Sequence, residues 1–546
     1  MRKNKILLIT SRSTTNSIQD SLAIPYGLYI LKNHLNKNGV DCDVLDLDFK
    51  SESECINAVK NNNYDIIGIS VTHWNMASDL DFLHTLKKIV KEMNKKTLFI
   101  AGGFSATLNS KEWLKCGFDL ICVGYAEDAL LKICENYSPD QNRKQLISFI
   151  KNIDGVAIQD ENKNLIFKHS KPLTEKEFEN KMFTLAMSME IPYEEYWDFM
   201  RKRASGILSI NKRSYVIENS RIYTSSKCLA NCGYCCCPAF LSKAQNSSAN
   251  LYMLSAKQIY ELVIFHIRKY GARAFSINDD DFIIGNEAGN KRVTDFCDLI
   301  IEGKKKGEIP EEIKFSCQTR ATDFIIKEGN KKIVNLPLIK KMAEAKFHNV
   351  SLGIETFSER LIKSPSINKP RAKSQDYHDV LQAMINSNLY PTINLIFGIP
   401  EEKPEELIET IQQTMKYIDK PCQISVATKL LAFPGSPLWN SKDYPTEDVV
   451  WENPETKEKI KIPIYYTPKD KQLSELIVRL EDDKIIEMAN LRKKYNLNEY
   501  QFLPRIAIAL CVFKIASKFL GYNDLYDQIS QKLDELITGT FTKCME

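Results

Sequence analysis

The chain has 546 residues, which is too long for one compact core and predicts about three or four domains. Its 74 basic and 70 acidic residues nearly cancel, and the net charge of +4 gives no indication of a nucleic-acid-binding surface. The apolar content of 43% supports packed cores.

Two apolar stretches bear on localisation. MRKNKILLIT is followed by SRSTTNSIQD without a small-residue cleavage site, which is typical of a first β-strand, so we expect no signal peptide and a cytoplasmic protein. FLPRIAIALCVFKIAS (502–517) carries two basic residues and is too short to cross a bilayer, which predicts a buried helix and no membrane span. In a reducing compartment the 15 cysteines favour metal binding or chemistry over disulfides.

Residues 1–140 alternate apolar strands with amphipathic helices. The strand candidates are KILLIT (5–10), DCDVLDL (41–47), DIIGISV (65–71), TLFIAGG (97–103) and FDLICVG (118–124). This order implies βαβ units and a Rossmann-like α/β domain whose parallel sheet is covered on both faces. Residues 141–219 are predicted to be a connecting region, in which NIDGVAIQDENKNLIFKHS forms a hairpin.

Small or polar residues stand at three of these strand ends: Ser70 and Thr72, Gly102 and Gly103, and Gly124. Ligands bind at the carboxyl ends of such strands, and glycine lets a backbone approach a large cofactor. Glycine is also common in βα loops for structural reasons alone, so both interpretations stay open.

A second alternation of strands and helices begins near residue 220. Its strand candidates are ARAFSIN (272–278), KFSCQTR (314–320), NVSLGIET (349–356), PTINLIFGIP (391–400) and QISVATKLL (423–431). The pattern predicts a partial (β/α) barrel over 220–440, with its site in the loops after the strands. Residues 441–546 are predicted to form a helical C-terminal domain.

KCLANCGYCCCPAF (227–240) holds five cysteines. Cys228, Cys232 and Cys235 form C-x3-C-x2-C, and no other choice among the five gives that spacing, so Cys236 and Cys237 are extra. Three thiolates from a short loop can hold three irons of a [4Fe-4S] cluster and leave the fourth iron open. Structural zinc, the alternative, needs four ligands, commonly as two C-x2-C pairs, and no second pair exists in the sequence.

At these residues the sequence resembles the radical S-adenosylmethionine (SAM) superfamily, in which C-x3-C-x2-C follows the first barrel strand. The later segments FSINDDDF, SLGIET, NLIFGIPEEKPEEL and LLAFPGSPLW resemble superfamily motifs in the same order. The candidate SAM-binding residues are Tyr234, Asp279, Asp280, Arg320, Glu355, Gly398 and Pro400.

The resemblance implies a role for most of these candidates. The two aspartates correspond to the segment that contacts the SAM amino group, Glu355 to the ribose contact, and the glycine and proline to the adenine pocket. The aspartates are also compatible with a turn or a helix N-terminus, and Glu355 with an N-cap or a salt bridge. Arg320 is compatible with a contact to the SAM carboxylate or with an ion pair.

The N-terminal segments SLAIPYGLYILKNHLNKNGVDCDVLDLD, DIIGISVTHW, LFIAGGFSAT and DLICVGYAED resemble the cobalamin-binding domain of one class of radical SAM enzymes. SRSTTNSIQDS lacks the histidine of the D-x-H-x-x-G motif, and Ala126 stands where the class often has glycine. We therefore expect no histidine ligand from that loop and a displaced dimethylbenzimidazole tail. His73 is the nearest histidine to the expected cobalt position, and a plain loop role is its alternative.

The resemblance implies three cofactors: a [4Fe-4S] cluster, SAM and cobalamin. It further implies a radical methyltransferase that methylates an unactivated carbon, with ring contraction, cyclisation and polar methyl transfer as alternatives. Its partners would be a small-molecule or peptide substrate and an external electron donor of the flavodoxin or ferredoxin type. An alternative of another class is a non-catalytic sensor, which needs neither Glu355 nor the acidic segment.

Overall fold

The structure, a computed structural model, describes residues 4–10, 24–203, 217–439, 441, 443–497 and 503–542. The loop SRSTTNSIQDS, on which the expectation about the cobalt ligand rests, lies outside these ranges.

The N-terminal sheet has seven strands in the order β2-β1-β3-β4-β5-β6-β7. They are β1 Ile6–Thr10, β2 Cys42–Leu45, β3 Ile66–Ser70, β4 Leu98–Gly102, β5 Leu120–Cys122, β6 Val156–Gln159 and β7 Leu165–Lys168. The helices are α1 Tyr26–Lys37, α2 Glu52–Asn61, α3 Met76–Glu92, α4 Phe104–Leu108, α5 Ser110–Lys115, α6 Glu127–Asn136 and α7 Arg143–Ile150. All five predicted strands are present, and they run parallel.

Apolar residues cover both faces of this sheet. Along β1, Leu7 and Ile9 belong to one buried core, while Ile6 and Leu8 belong to another on the opposite face. A strand buried on both sides is typical of a parallel sheet between two helical layers. The Rossmann-like prediction for this domain is confirmed.

The predicted hairpin in NIDGVAIQDENKNLIFKHS is strands β6 and β7, but it belongs to the N-terminal sheet. Val156 and Ala157 pair antiparallel with β5, which is only three residues long. The hairpin covers the edge that a short β5 would expose. The sheet therefore continues to Lys168, beyond the boundary predicted at residue 140.

Two helices, α8 Glu175–Glu179 and α9 Tyr193–Arg203, connect the two sheets. Short π and 3-10 turns lie between them, at Asn180–Thr184 and Ala186–Ser188. The hydroxyl of Tyr196 on α9 donates to buried Asp46 beside β2 (3.0 Å). The connecting region is thus packed on the edge of the first domain.

Six parallel strands form the second sheet in the order β15-β14-β13-β10-β9-β8. The strands in this region are β8 Asn219–Ile222, β9 Ala274–Ile277, β10 Lys314–Arg320, β11 Ile325–Glu328, β12 Lys331–Val334, β13 Phe347–Glu355, β14 Pro391–Ile396 and β15 Gln423–Ala427. The helices are α10 Cys237–Gln245, α11 Ala256–Tyr270, α12 Glu287–Lys305, α13 Leu336–Glu344, α14 Glu359–Ile362, α15 Ser374–Asn386 and α16 Pro404–Met415. Strands β11 and β12 form a separate hairpin after β10. The sequential parallel order confirms the partial (β/α) barrel.

The C-terminal region contains three strands before its helices: β16 Leu430–Leu431, β17 Thr446–Glu452 and β18 Lys459–Tyr466. This antiparallel sheet was not predicted from the sequence, although KIKIPIYY in β18 alternates exposed and buried positions. Its residues Trp451 and Ile462 join the core of the N-terminal domain, and Trp451 donates to Asp81 on α3 (2.8 Å).

The helices α17 Lys471–Lys494, α18 Arg505–Phe519 and α19 Asn523–Thr542 follow and confirm the helical C-terminal region. Helix α18 corresponds to the apolar stretch at 502–517, and its Leu510, Val512 and Phe513 are buried. No helix in the described ranges is both long enough and apolar enough to cross a membrane.

Candidate functional site

The cysteine loop runs between β8 and α10 and is held in place by neighbouring loops. Gly233 has no room for a side chain, because a Cβ there would lie 1.9 Å from the carbonyl oxygen of Pro365. The carbonyl of Gly233 accepts from the amide of Leu438 (3.0 Å), and that of Asn231 accepts from the side chain of Asn368 (2.6 Å). The loop is therefore preorganised before any cofactor binds.

Cys228 and Cys232 are buried and Cys235 is half-buried. Burial raises the thiol pKa of Cys228 to about 12 and that of Cys232 to about 11. A hydrogen bond with Cys237 and then burial raise the pKa of Cys235 well above its usual range. Metal ligation must therefore displace three thiol protons.

The described ranges contain no group of three His, Cys, Asp or Glu side chains placed to hold one metal ion. The fit of the loop to a [4Fe-4S] cluster therefore rests on the chemistry of its donors: three thiolates from one short loop can ligate three irons and leave the fourth iron open.

Tyr234 and Glu355 meet beside the loop. The Tyr234 hydroxyl donates to the carboxylate of Glu355 (3.0 Å), and buried Lys369 makes an ion pair with the other carboxylate oxygen. Glu355 has φ = +64°, an uncommon conformation for a residue with a side chain, at a register shift between β13 and β14. Such strained backbone is typical of functional sites. Neither contact of Glu355, with Tyr234 or with Lys369, was predicted from the sequence.

Asp279 and Asp280 have different surroundings. Asp279 is buried and accepts from the amide and hydroxyl of Thr224 (both 2.5 Å) and from the amide of Ser225 (3.0 Å). It therefore fixes the strand end that leads into the cysteine loop, with Arg292 3.8 Å away. Asp280 is exposed as a residue, but burial of its carboxylate raises its pKa, and a hydrogen bond with Cys237 lowers the pKa in part. Of the two aspartates, Asp280 is the more accessible, and it contacts the cysteine loop at Cys237.

Arg320 lies at the end of β10 between two buried carboxylates. Its guanidinium contacts Asp281 (3.2 Å) and Asp323 (2.6 Å). The ion-pair interpretation describes this arrangement, although part of the side chain remains exposed. No sequence motif pairs Arg320 with these two carboxylates.

Gly102 is the most open of the strand-end positions in the N-terminal domain. A Cβ on Gly102 would meet no heavy atom within 4 Å, so the backbone borders free space. Next to it, Gly103 has φ = +97° and faces the hydroxyl of Ser70, which would lie 3.4 Å from a Cβ. The amide of Thr72 donates to Asp79 on α3 (3.2 Å). The bare backbone at 102–103 fits a large cofactor at this edge.

His73 is buried beneath the C-terminal strands. Its Nε2 lies 2.6 Å from the carbonyl oxygen of Pro463, and its ring packs edge-on against Trp439, with centroids 5.2 Å apart. Burial lowers its pKa, so the neutral ring is favoured. This geometry is that of a residue that ties the loop after β3 to β18.

Gly124 and Gly398 lie against protein rather than against open space. A Cβ on Gly124 would stand 2.9 Å from that of Ala244 on α10, and one on Gly398 would stand 3.1 Å from Ile477 on α17. Both have positive φ, 72° and 77°. The carbonyl of Pro400 accepts from the amide of Lys469 (2.9 Å). These contacts join domains. A sequence motif at a strand end does not show whether its glycine packs against another domain or binds a cofactor.

Helix α10 follows the cysteine loop directly and packs on the strand ends of the N-terminal sheet. The rings of Phe104 and Phe240 stack with centroids 4.0 Å apart and an interplanar angle of 17°. The amide of Ser170 donates to the carbonyl of Ala244 (2.8 Å). Helix α10 thus connects the cysteine loop to the strand ends of the N-terminal sheet.

Family models match both halves of this arrangement. A B12-binding domain model matches residues 20–133, and a radical SAM superfamily model matches residues 222–414, together more than half of the chain. The chain belongs to the cobalamin-binding radical SAM enzymes. Its cofactors are cobalamin, SAM and a [4Fe-4S] cluster.

Solved structures share the fold of this radical SAM enzyme at low identity. The cobalamin-dependent SAM radical enzyme OxsB, solved with aqua-cobalamin and SAM, is 14% identical with a TM-score of 0.66, covering 100% of this chain and 81% of its own. The radical SAM methyltransferase TsrM from Kitasatospora setae, with cobalamin and cluster bound, is 12% identical with a TM-score of 0.58, covering 97% and 100%. No curated protein matches the sequence significantly.

Proposed function

We propose that this enzyme methylates an unactivated carbon of its substrate, using both SAM and cobalamin. The observation that carries the proposal is the direct packing of α10, which starts at the cysteine loop, against the strand ends where Gly102 leaves open space. When bound, the cluster with SAM supplies hydrogen abstraction, and cobalamin supplies a methyl group. A substrate between the two would be within reach of both.

In this proposal the chain positions cofactors and excludes water. Cys228, Cys232 and Cys235 hold the cluster. Gly233 has no side chain, so their loop can pack directly against the backbone of Pro365, and this contact fixes the position of the loop. The ring of Phe104, which is 43% exposed beside the strand ends and stacks on Phe240, would be covered by a bound cofactor and would help to exclude water there.

The SAM pocket in this proposal lies beside Tyr234 and Glu355. The carboxylate of Glu355 is already oriented by Tyr234 and Lys369, so a ribose hydroxyl would meet a fixed acceptor. Asp280 is the accessible carboxylate for the SAM amino group. Preorganised polar groups of this kind bind without the cost of ordering them.

For the substrate we propose a small molecule. A TsrM structure was solved with a tryptophan substrate and a SAM analogue, and it is 12% identical with a TM-score of 0.56, covering 80% of this chain and 75% of its own. Tryptophan is the substrate of TsrM, and for the present enzyme it supports only the proposal that the substrate is a small molecule. A peptide substrate remains an outcome of the test below.

The test feeds trideuteromethyl methionine to cells that express the wild-type enzyme or the Cys228→Ala variant. We expect one metabolite to carry an intact trideuteromethyl group only in the wild-type culture. A product that depends on the wild-type enzyme but carries no label would contradict methylation and favour ring contraction or cyclisation. Labelled peptides in a digest would assign a peptide substrate instead.

A further inference from the structure

Residues 365–369, between α14 and α15, pack along the cysteine loop. The side chain of Asn368 donates to the carbonyl of Asn231 (2.6 Å), which holds the two backbones side by side. Lys369 is the next residue, and it lines the same cleft of about 870 Å³ as Cys232. The segment therefore places a lysine side chain beside one of the three cysteines predicted to ligate the cluster.

The charge of Lys369 is buried and held in one position. Its side chain is 8% exposed, and its ammonium makes an ion pair with Glu355 and donates to the carbonyl of Gly353 (2.8 Å), both on β13. Lysine is almost never fully buried unless it is paired. Because desolvation of the two charges offsets most of their attraction, such a pair adds little to the stability of the fold. The charge is better explained by what lies beside it.

The ion pair presents its positive end to Cys232. Of the charged side chains that act on the sulfur of this cysteine, Lys369 has the largest effect, and Glu355 follows with the opposite sign. The two charges therefore do not cancel at the sulfur. The net charge around an iron–sulfur cluster is one of the factors that set its reduction potential. A fixed cation at this position is thus placed to influence the redox chemistry of the site.

We propose that the ammonium of Lys369 favours the one-electron-reduced form of the cluster and so raises its reduction potential. When one electron passes from a low-potential reductant to the cluster, the cluster gains one negative charge, no bond is made or broken, and no proton moves. A cation beside a ligand sulfur stabilises this added charge, and burial reduces the screening of the effect by salt. This role is separate from the orientation of Glu355 in the proposed SAM pocket.

The test measures the midpoint potential of the cluster in reconstituted holoenzyme without SAM, by redox titration followed by electron paramagnetic resonance. We expect Lys369→Gln to lower the potential, because the carboxylate of Glu355 is left alone, and Glu355→Gln to raise it, because the cation is left alone. Lys369→Arg keeps the charge and should stay near the wild-type potential.

The matched control is a second buried pair, Lys181 and Glu127 (2.9 Å), whose side chains are 13% and 4% exposed and which joins the connecting region to α6. Lys181→Gln and Glu127→Gln should leave the potential of the cluster unchanged. The double variant Lys369→Gln/Glu355→Gln should fall between its two single variants, since it removes both charges.

Shifts of opposite sign from the two halves of one ion pair identify an electrostatic effect, because a disturbed loop would move both potentials in the same direction. Shifts of the same sign, or unchanged potentials in variants with full iron content, would overturn the proposal. If Lys369→Gln does not retain the cluster, Glu355→Gln decides, and a potential at or below that of the wild type would overturn the proposal. SAM and substrate are absent from the titration, so its outcome does not depend on the proposed methylation.

Discussion

Replacing Gly102 by leucine should block cobalamin binding without harming the fold or the cluster. Gly102 ends β4, and a Cβ there would meet no heavy atom within 4 Å. Its φ is not positive, so a side chain imposes no backbone strain. In the absence of cofactor the substitution should leave the free energy of unfolding unchanged or raise it by about 0.4–1 kcal/mol, because a side chain reduces the conformational entropy of the unfolded chain.

The cost appears only when cobalamin fills the same space. Forcing a leucine side chain into a packed contact costs about 1–3 kcal/mol. That range corresponds to an increase in the Kd for cobalamin of about 5- to 150-fold. The cysteine loop lies in the other domain, so the iron content after reconstitution should not change.

The assay is a titration of apoprotein with cobalamin, followed by its absorbance, together with thermal unfolding and iron analysis. Gly539→Leu on α19 is the matched control, because a Cβ there also meets nothing within 4 Å. Gly103 cannot serve as the probe, since its φ of +97° strains any side chain with or without cofactor. Wild-type cobalamin affinity in Gly102→Leu would refute the proposed position of the cofactor.

Three further predictions concern the cluster and the fold. Cys236→Ala should retain about four irons per chain after reconstitution while Cys228→Ala retains none, and loss of iron in Cys236→Ala would mean that the ligand set is wrong. Gly398→Ala should lower the free energy of unfolding by about 1–3 kcal/mol, because its φ of +77° strains any side chain and its Cβ would lie 3.1 Å from Ile477. Ile477→Ala relieves only the contact, so the double variant should cost less than the two single changes together, and strict additivity would argue against the contact. Burial raises the pKa of Glu402 from 4.5 to about 8, so between these two values the folded state holds a proton that the unfolded state has released, and stability falls as the pH rises towards 8. Glu402→Gln should remove this loss, worth up to about 5 kcal/mol, and an unchanged pH dependence of thermal unfolding would contradict it.

Most of the strands could be predicted from sequence because their signal is local. Apolar runs of strand length between amphipathic helices identified the parallel strands of the first sheet and β9, β10, β13, β14 and β15 of the second. Cysteine spacing is equally local, and the selection of Cys228, Cys232 and Cys235 as cluster ligands stays a prediction. The hairpin at 446–466 was missed, although its alternating pattern was present in the sequence.

Partners that depend on tertiary packing could not be predicted in the same way. Gly124 and Gly398 stand in motifs associated with cofactors, yet their contacts are with Ala244 and Ile477 from distant parts of the chain. Lys369 belongs to no motif and becomes visible only because β13 brings Glu355 beside it. A glycine or a lysine in a loop carries no sequence signal for what it will touch.

The central claim is tested most directly by anaerobic incubation of the reconstituted holoenzyme with SAM, aquacobalamin and a low-potential reductant such as titanium(III) citrate, which leaves reduced cobalt free to accept a methyl group, followed by mass spectrometry of the nucleoside products. Radical cleavage of SAM yields 5′-deoxyadenosine, and methyl transfer from SAM yields S-adenosylhomocysteine, so the account predicts that both form and that Cys228→Ala forms no 5′-deoxyadenosine. If the wild-type enzyme with full iron and cobalamin content forms neither product, the protein is a sensor that carries the cofactors without using them, and the enzymatic account is contradicted.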